Sequence, residues 1–454
     1  MIKNIVFLLI IVTFSSLIHA QQDQWLVEFE LPNVGRLSTS MDMKLTDSSF
    51  LAYSRKNAAQ EVLGEINYMF GKIFTPYFNP QGSLLYARGE AMLIRDNPDS
   101  ISIKGTLNSP LGVFQLEGII AHQQLQGFLS IDQDTTSITG HPSPPSFPLN
   151  DYPAIFQQLI NRTQKYIYDS TLLEGKEWIR FQQKMQALLP RIQTDLELII
   201  AFSHFGKKLP FSHFYLTKEA TFEMDAPEKP QLTLVTKNKT AYLDIASFLG
   251  TVAEIDSFMA IIKKEDYQHL VVDFRNNGGG SVAPGLAFAQ HVVEQTFYGG
   301  VLLSRKWFDN HNMLPTVQEY SNFSTFSEAN LALLIEDVHK KEGICLKVIP
   351  KEQVFSGNLY ILTNEYTGST CEPIVYGLQQ IKRATIIGEK TAGAMLSGEF
   401  FALQNQFSLF LPTATYYTSD GYKIDKNGVR PDIRVKSINA WKYIKKRLKK
   451  NQYN

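Results

Sequence analysis

HLVVDFRNNGGGSV, residues 269–282, is a short apolar run that stops in two asparagines and three glycines. A compact run of this kind, apolar without alternation, suits a strand buried on both faces of a parallel sheet. The three glycines let the backbone turn sharply and leave amide N–H groups exposed. Such amides bind an anion or a developing oxyanion. A nucleotide-phosphate loop would also use glycines, but the Walker lysine spacing is absent, and Gly388-Glu389-Lys390-Thr391 resembles only its tail. By itself NNGGG is either a turn or a site.

Around this stretch, short apolar segments alternate with helical ones. YLDIASF, NLYILTN and ATIIGE read as strands, and GLAFAQHVVEQ and PIVYGLQQI as helices. That alternation predicts an α/β layer with a mostly parallel sheet over residues 226–440. Residues 303–357 interrupt it as a polar, aromatic-rich insertion. Residues 154–225 form a helical lead-in. Upstream, WLVEFEL, MDMKL, ISIKGTL and VFQLEG alternate with period two, which predicts an all-β sandwich or barrel-like domain over 21–140. His122, in IIAHQQL, is expected at an ordinary strand position. HPSPPSFPLNDYP, 141–153, reads as a Pro-rich linker.

The 454 residues exceed one average domain. With 44% hydrophobic and 19% charged residues the composition is that of a globular chain. Lys+Arg and Asp+Glu are both 44, which argues against a nucleic-acid partner. The one basic run, KYIKKRLKK, lies in the C-terminal tail 441–454; it is either a solvated helix face or a membrane-surface element. Residues 1–20 read as a signal peptide, which predicts export to the periplasm or beyond the cell, with no membrane span after cleavage. The apolar run at 5–14 is short for a span. Cys345 and Cys371 make no disulfide framework, although one bridge between them stays open. No metal-ligand spacing and no cofactor motif is present.

Two further stretches carry chemistry. In YILTNEYTGSTCEPIVYGLQQ, 360–380, a strand ends near Asn364 and a helix starts near Pro373. Ser369 falls on the turn between them. There it is either an exposed nucleophile, with the Thr370 N–H as oxyanion donor, or a helix cap. In GYKIDKNGVRPDIRV, 421–435, Asp425 and Asp432 either orient a histidine or serve the turn.

Taken in order, DFRNNGGG, TNEYTGSTCE, RATIIGEKTAGA and NGVRPDI resemble the C-terminal processing (tail-specific) and tricorn-like serine peptidases, over roughly 240–436. The resemblance implies ClpP/crotonase-like layers in the core. It implies Ser369 as nucleophile, and the amides of Gly278, Gly279 and Thr370 as the oxyanion hole. It implies no cofactor, and a peptide or protein substrate. The processing enzymes use a lysine twenty-five residues after the serine, where this chain has Ala394; Lys390 stands at a position that varies in that family. The tricorn-like branch instead takes its base from a Ser-His pair that follows a helical segment. LPFSHFYL matches that place. The resemblance therefore implies a relay of Ser369, His213, Ser212 and Asp425, the last standing where tricorn has a glutamate. Two other functions share this scaffold: a catalytically inactive peptide-binding protein, and an esterase using the same serine.

FSHF occurs twice, at 202–205 and 211–214. As a helix, DLELIIAFSHFGKK turns Ile192, Leu196 and Ile199 to the core. It turns Gln193, Glu197, His204 and Lys208 to water. His204 is thus a solvated helix residue, and His213 is the candidate base. In a regular strand Ser212 and His213 would point to opposite faces, so their relay requires an irregular backbone.

Overall fold

The computed structural model describes residues 22–31, 34–63, 82–95, 97–110, 112–131, 134–143, 147–218, 231–327 and 331–451. Residues 1–20, read above as a signal peptide, lie outside the described residues. Among the described residues, no helix is long and apolar enough to cross a membrane.

Eight strands come first: β1 (Gln22–Leu31), β2 (Gly35–Leu45), β3 (Ser49–Ser54), β4 (Tyr86–Ile94), β5 (Asn97–Ser109), β6 (Gly112–Ala121), β7 (Gln124–Ile131) and β8 (Asp134–Pro142). All pair antiparallel with their neighbours, and β1 pairs with both β2 and β8. The expected sandwich or barrel is therefore a closed barrel, which leaves no free edge. Register explains its core. Ala52 faces Ala87, Ala87 faces Leu107 and Leu107 faces Phe114, forming one inward layer at most 5% exposed. His122 is not within a strand. With Gln123 it forms the two-residue β6–β7 turn, both at positive φ (48° and 60°), the geometry such hairpins favour.

The helices α1 (Tyr152–Tyr166), α2 (Lys176–Leu188) and α3 (Asp195–Gly206) follow. Asp151 caps α1 by accepting the Ala154 N–H, and Thr194 caps α3. One apolar cluster runs from the barrel interior through these helices. The α3 face expected to be solvated is partly covered. Glu197 is 1% exposed and accepts hydrogen bonds from Gln60 Nε2 (2.6 Å) and Asn57 Nδ2 (3.1 Å), because residues 57–63 lie over it.

The rest of the chain forms two sheets. It runs β9 (Tyr215–Lys218), β10 (Leu232–Lys237), β11 (Thr240–Ile245), α4 (Val252–Lys264), β12 (His269–Asp273) and α5 (Val282–Val292). Then come β13 (Phe297–Ser304), α6 (Arg305–Asn310), β14 (Ser324–Phe326), α7 (Leu331–Lys340) and β15 (Gly343–Val348). The last elements are β16 (Asn358–Thr363), α8 (Cys371–Gln380), β17 (Ala384–Gly388), β18 (Leu396–Ala402), β19 (Phe407–Thr418), β20 (Ile433–Arg434) and α9 (Ser437–Asn451).

One sheet has the order β10-β11-β12-β16-β17-β20, parallel except at β10. Every residue of β12 is buried, as its unbroken apolar run requires. The other sheet continues from β2 through β9 to β19, β13, β15 and β14, with β18 on β19. The 303–357 insertion thus supplies α6, β14, α7 and β15. Helices α4, α5 and α8 fill the space between the sheets, packing on Leu270, Val272 and Ile361 on one side and Leu302, Ile344 and Tyr416 on the other. Helix α9 covers the outer face through Ala440, Ile444 and Leu448, each at most 3% exposed. Full burial of an Ile or Leu stabilises by about 1.5–3 kcal/mol. Strands β12 and β16 are neighbours with Asp273 opposite Leu362, so the loops that leave their carboxyl ends meet.

Candidate active site

The two loops are tied together by side chains that favour turns. Asn276, at φ +64°, donates its N–H to Asn364 Oδ1 (3.0 Å), and Asn364 Nδ2 donates to Asn276 Oδ1 (2.7 Å). Thr367 Oγ1 donates to the Phe274 carbonyl, and the Gly368 N–H to the Asn277 carbonyl (3.0 Å). Gly279 then runs directly beneath Ser369. A Cβ on Gly279 would lie 2.6 Å from Ser369 Cβ, and its φ of +104° disfavours any side chain.

Ser369 itself has φ +50°, the left-handed region, in which a non-glycine residue is uncommon. It is half-buried, on the turn between β16 and α8. It does not cap the helix by its side chain. The cap residue is Thr370, whose hydroxyl is donated to the Gly280 carbonyl (2.7 Å) and not to the helix. The Ser369 hydroxyl makes no hydrogen bond among the described residues. Its N–H donates to the Ala394 carbonyl (3.0 Å).

Ser212, His213 and Asp425 form a connected chain although Asp425 lies 213 residues from Ser212. Ser212 Oγ donates to Asp425 Oδ1 (2.5 Å) and lies 2.7 Å from His213 Nδ1. The irregular backbone that this requires is present: His213 has φ +56°, and β9 begins only at Tyr215. The carboxylate fixes the proton order. With the Ser212 proton given to Asp425, Ser212 Oγ must accept from His213 Nδ1–H, which leaves Nε2 with a free lone pair. Burial, with the Lys426 ammonium adding to it, pushes the imidazole down to about 4. His213 is therefore neutral at pH 7. Burial raises the Asp425 carboxyl, against the stabilising hydrogen bond from Ser212.

A single strip, residues 393–395, touches both halves. Ala394 O receives the Ser369 amide, while the Met395 N–H points at Asp425 Oδ1 (3.3 Å) and the Lys426 N–H at Gly393 O (2.6 Å). Glu372 holds the strip from below. It is 0% exposed and accepts from Thr391 Oγ1 (2.5 Å), Gly393 N (2.8 Å) and Ala394 N (2.8 Å). Sequence reasoning missed Glu372. An acidic residue in a first helical turn suits the helix dipole wherever it falls, so nothing marked it for burial.

Other expected residues differ in their partners or their place. The Gly279 N–H is already donated to Asn277 Oδ1 (2.8 Å), so it is not a free oxyanion donor here. The Gly278 and Thr370 amides make no hydrogen bond among the described residues, and Gly278 faces open space. Asp432 accepts from Gln379 Nε2 (2.7 Å) and the Ile386 N–H (2.8 Å), pinning β17. Lys390 is exposed, and His204 sits on α3 beside Phe205. Cys345 and Cys371 are both buried and free. No hydrogen bond joins Ser369 to His213.

Comparison with known proteins follows the same segment. Residues 239–435 match the model of Peptidase family S41. A carboxyl-terminal-processing protease of Picosynechococcus sp. is 25% identical over 195 residues, 43% of this chain and 38% of that protein. The chloroplastic carboxyl-terminal-processing peptidase 3 of Arabidopsis thaliana is 25% identical over 199 residues, 43% of this chain and 31% of that protein. The alignments thus span about a third of the length of these relatives. Among solved structures, the tricorn protease aligns over 93% of this chain and 47% of its own at 12% identity, with a TM-score of 0.42. The resemblance read from the ordered motifs is shown at the level of this peptidase family, over this segment.

Proposed function

We propose that the chain is an exported serine peptidase that cleaves peptide bonds through an acyl-enzyme, as an endopeptidase or a carboxy-terminal-processing enzyme of the lysine-free, tricorn-like kind. The observation that carries this reading is the Asp425–Ser212–His213 chain, assembled from remote segments and bound to the same strip as Ser369. In the proposed reaction His213 Nε2 takes the Ser369 proton as Oγ attacks the carbonyl carbon. The Gly278 and Thr370 amides receive the oxyanion. His213 then gives the proton to the leaving amine, and a water hydrolyses the ester by the reverse sequence. Asp425 and Ser212 hold the imidazole in the tautomer that accepts. Apo sites of this type often tighten only around substrate.

The unclosed Ser369–His213 step is also what a peptide-binding protein without catalysis would display. A serine-directed fluorophosphonate separates the two. Labelling of Ser369 in the purified chain, together with turnover of a peptide library that Ser369→Ala abolishes, is the expected result. Unlabelled Ser369, or turnover that survives Ser369→Ala, overturns the peptidase assignment. Ester turnover without peptide turnover would assign an esterase.

A further inference from the structure

Helix α9 concentrates charge in a chain that is otherwise balanced. It holds six of the 44 Lys and Arg residues and none of the 44 Asp and Glu, which leaves the rest of the chain net negative. Ala440, Ile444 and Leu448 are fixed against the sheet. At 100° per residue, Ile438, Lys442, Lys445, Lys446 and Lys449 fall on the opposite arc. All four lysines are exposed, and Ile438 is 86% exposed. Lys445 lies over the rings of Trp441 (5.2 Å) and Tyr242 (6.0 Å). The helix is held rigidly at its start: Arg275 Nη1 donates to the Ser437 carbonyl (2.7 Å), and the Ser437 N–H to Glu389 Oε2 (3.0 Å).

We propose that this face docks the protein on the surface of an anionic phospholipid bilayer. The lysine arc complements the headgroup charge. Ile438, in line with Lys442 and Lys449, is the side chain that distinguishes a bilayer from other polyanions. An apolar residue gains by entering the headgroup boundary and gains nothing from a bare phosphate backbone. The net negative remainder of the chain is repelled by the same surface, so docking has one orientation. Arg275 joins α9 to the loop bearing Gly278, so the docked helix holds the candidate site beside the membrane.

Co-sedimentation of the purified chain, from which residues 1–20 are omitted, with vesicles tests this. The vesicles contain equal parts phosphatidylglycerol and phosphatidylcholine. The chain should sediment with them, fail to sediment with pure phosphatidylcholine, and dissociate as salt rises. Lys442→Gln, Lys446→Gln and Lys449→Gln together should weaken partitioning about 100-fold, at about fivefold per charge. Ile438→Ser should weaken vesicle binding and leave binding to heparin unchanged. Soluble-peptide turnover should be the same in all variants. Absent binding to the mixed vesicles, undiminished binding by the triple variant, or no effect of Ile438→Ser overturns the proposal; the last would assign the face to polyanions in general.

Discussion

Replacing Asp425 with Asn preserves side-chain shape and removes one charge, and the hydrogen-bond order sets the outcome. Asp425 accepts at both oxygens: Oδ1 from the Ser212 hydroxyl (2.5 Å) and the Met395 N–H (3.3 Å), Oδ2 from the Ser212 N–H (3.3 Å). An Asn amide must place its NH2 at one of these two positions. At the Oδ1 position it donates to Ser212 Oγ. The Ser212 proton then turns to His213 Nδ1, and the neutral imidazole carries its own proton on Nε2, where it cannot take one from Ser369. At the Oδ2 position the NH2 faces the Ser212 N–H, and a buried donor without an acceptor costs about 1–3 kcal/mol. Either orientation sets the NH2 against one N–H, that of Met395 or that of Ser212; the first also puts the imidazole in the wrong tautomer, and both remove the carboxylate charge that stabilises the imidazolium formed in the reaction. A wrong-tautomer serine relay loses about 10⁴-fold in kcat. We expect a loss of about 10³–10⁴-fold, or about 4–5.5 kcal/mol of transition-state stabilisation, with KM little changed. Steady-state kinetics on a peptide substrate would measure this, with circular dichroism confirming the fold. A folded Asp425→Asn protein with kcat within tenfold of wild type would refute the relay.

Gly279→Ala should lower both turnover and thermal stability. The new Cβ lies 2.6 Å from Ser369 Cβ and 3.0 Å from Gly368 O at φ +104°, and such strain costs about 1–3 kcal/mol; a wild-type melting temperature with unchanged turnover would contradict it. Acid should also destabilise the fold through His213. Its folded pKa is depressed to about 4 against an unfolded value of about 6.5, so between these limits the unfolded chain binds more protons and stability falls as pH falls. Denaturant titrations across that window should give a shallower pH slope for His213→Gln than for wild type, and equal slopes would remove His213 as the cause.

Most of the core was legible because it obeys local rules. The run Leu270–Val272 is apolar without alternation because β12 is buried on both faces. The motif order exposed the loop that carries Ser369. The interior of the barrel follows from period-two patterning, but closure does not, since the β1–β8 pairing joins residues more than a hundred positions apart. Helical periodicity placed Leu196 and Ile199 correctly in the core and misplaced Glu197; Ile192 is buried too, but it lies ahead of α3. The wheel describes one helix and is blind to residues 57–63, which lie over its polar side. Gly279 was expected to offer its amide because it is a glycine in a loop. What engages that amide is the Asn277 side chain two residues earlier, a turn-type contact that composition alone leaves undetermined.

The irregular backbone that lets Ser212 and His213 meet has an identifiable physical cause. Ten non-glycine residues have positive φ among the described residues, and His213, Asn276, Ser369 and Lys426 lie at the site. A left-handed residue costs about 1–3 kcal/mol and persists only where its surroundings fix it. At His213 the surroundings are aromatic. Phe211 is 1% exposed, and Phe214 packs against it at 5.6 Å, against Phe202 at 4.9 Å, against Phe181 at 5.9 Å and against Trp178 at 6.0 Å. Such pairs contribute about 0.5–1.5 kcal/mol each beyond their burial, enough together to offset the strain. Phe211 and Phe214 anchor the chain on both sides of Ser212 and His213, so the two residues between them give up strand geometry and meet at Asp425. Phe202, which packs on Phe214, is the first residue of the earlier FSHF. One copy of the motif therefore helps to hold the distorted backbone of the other, and that distortion brings the imidazole to the serine it hydrogen-bonds.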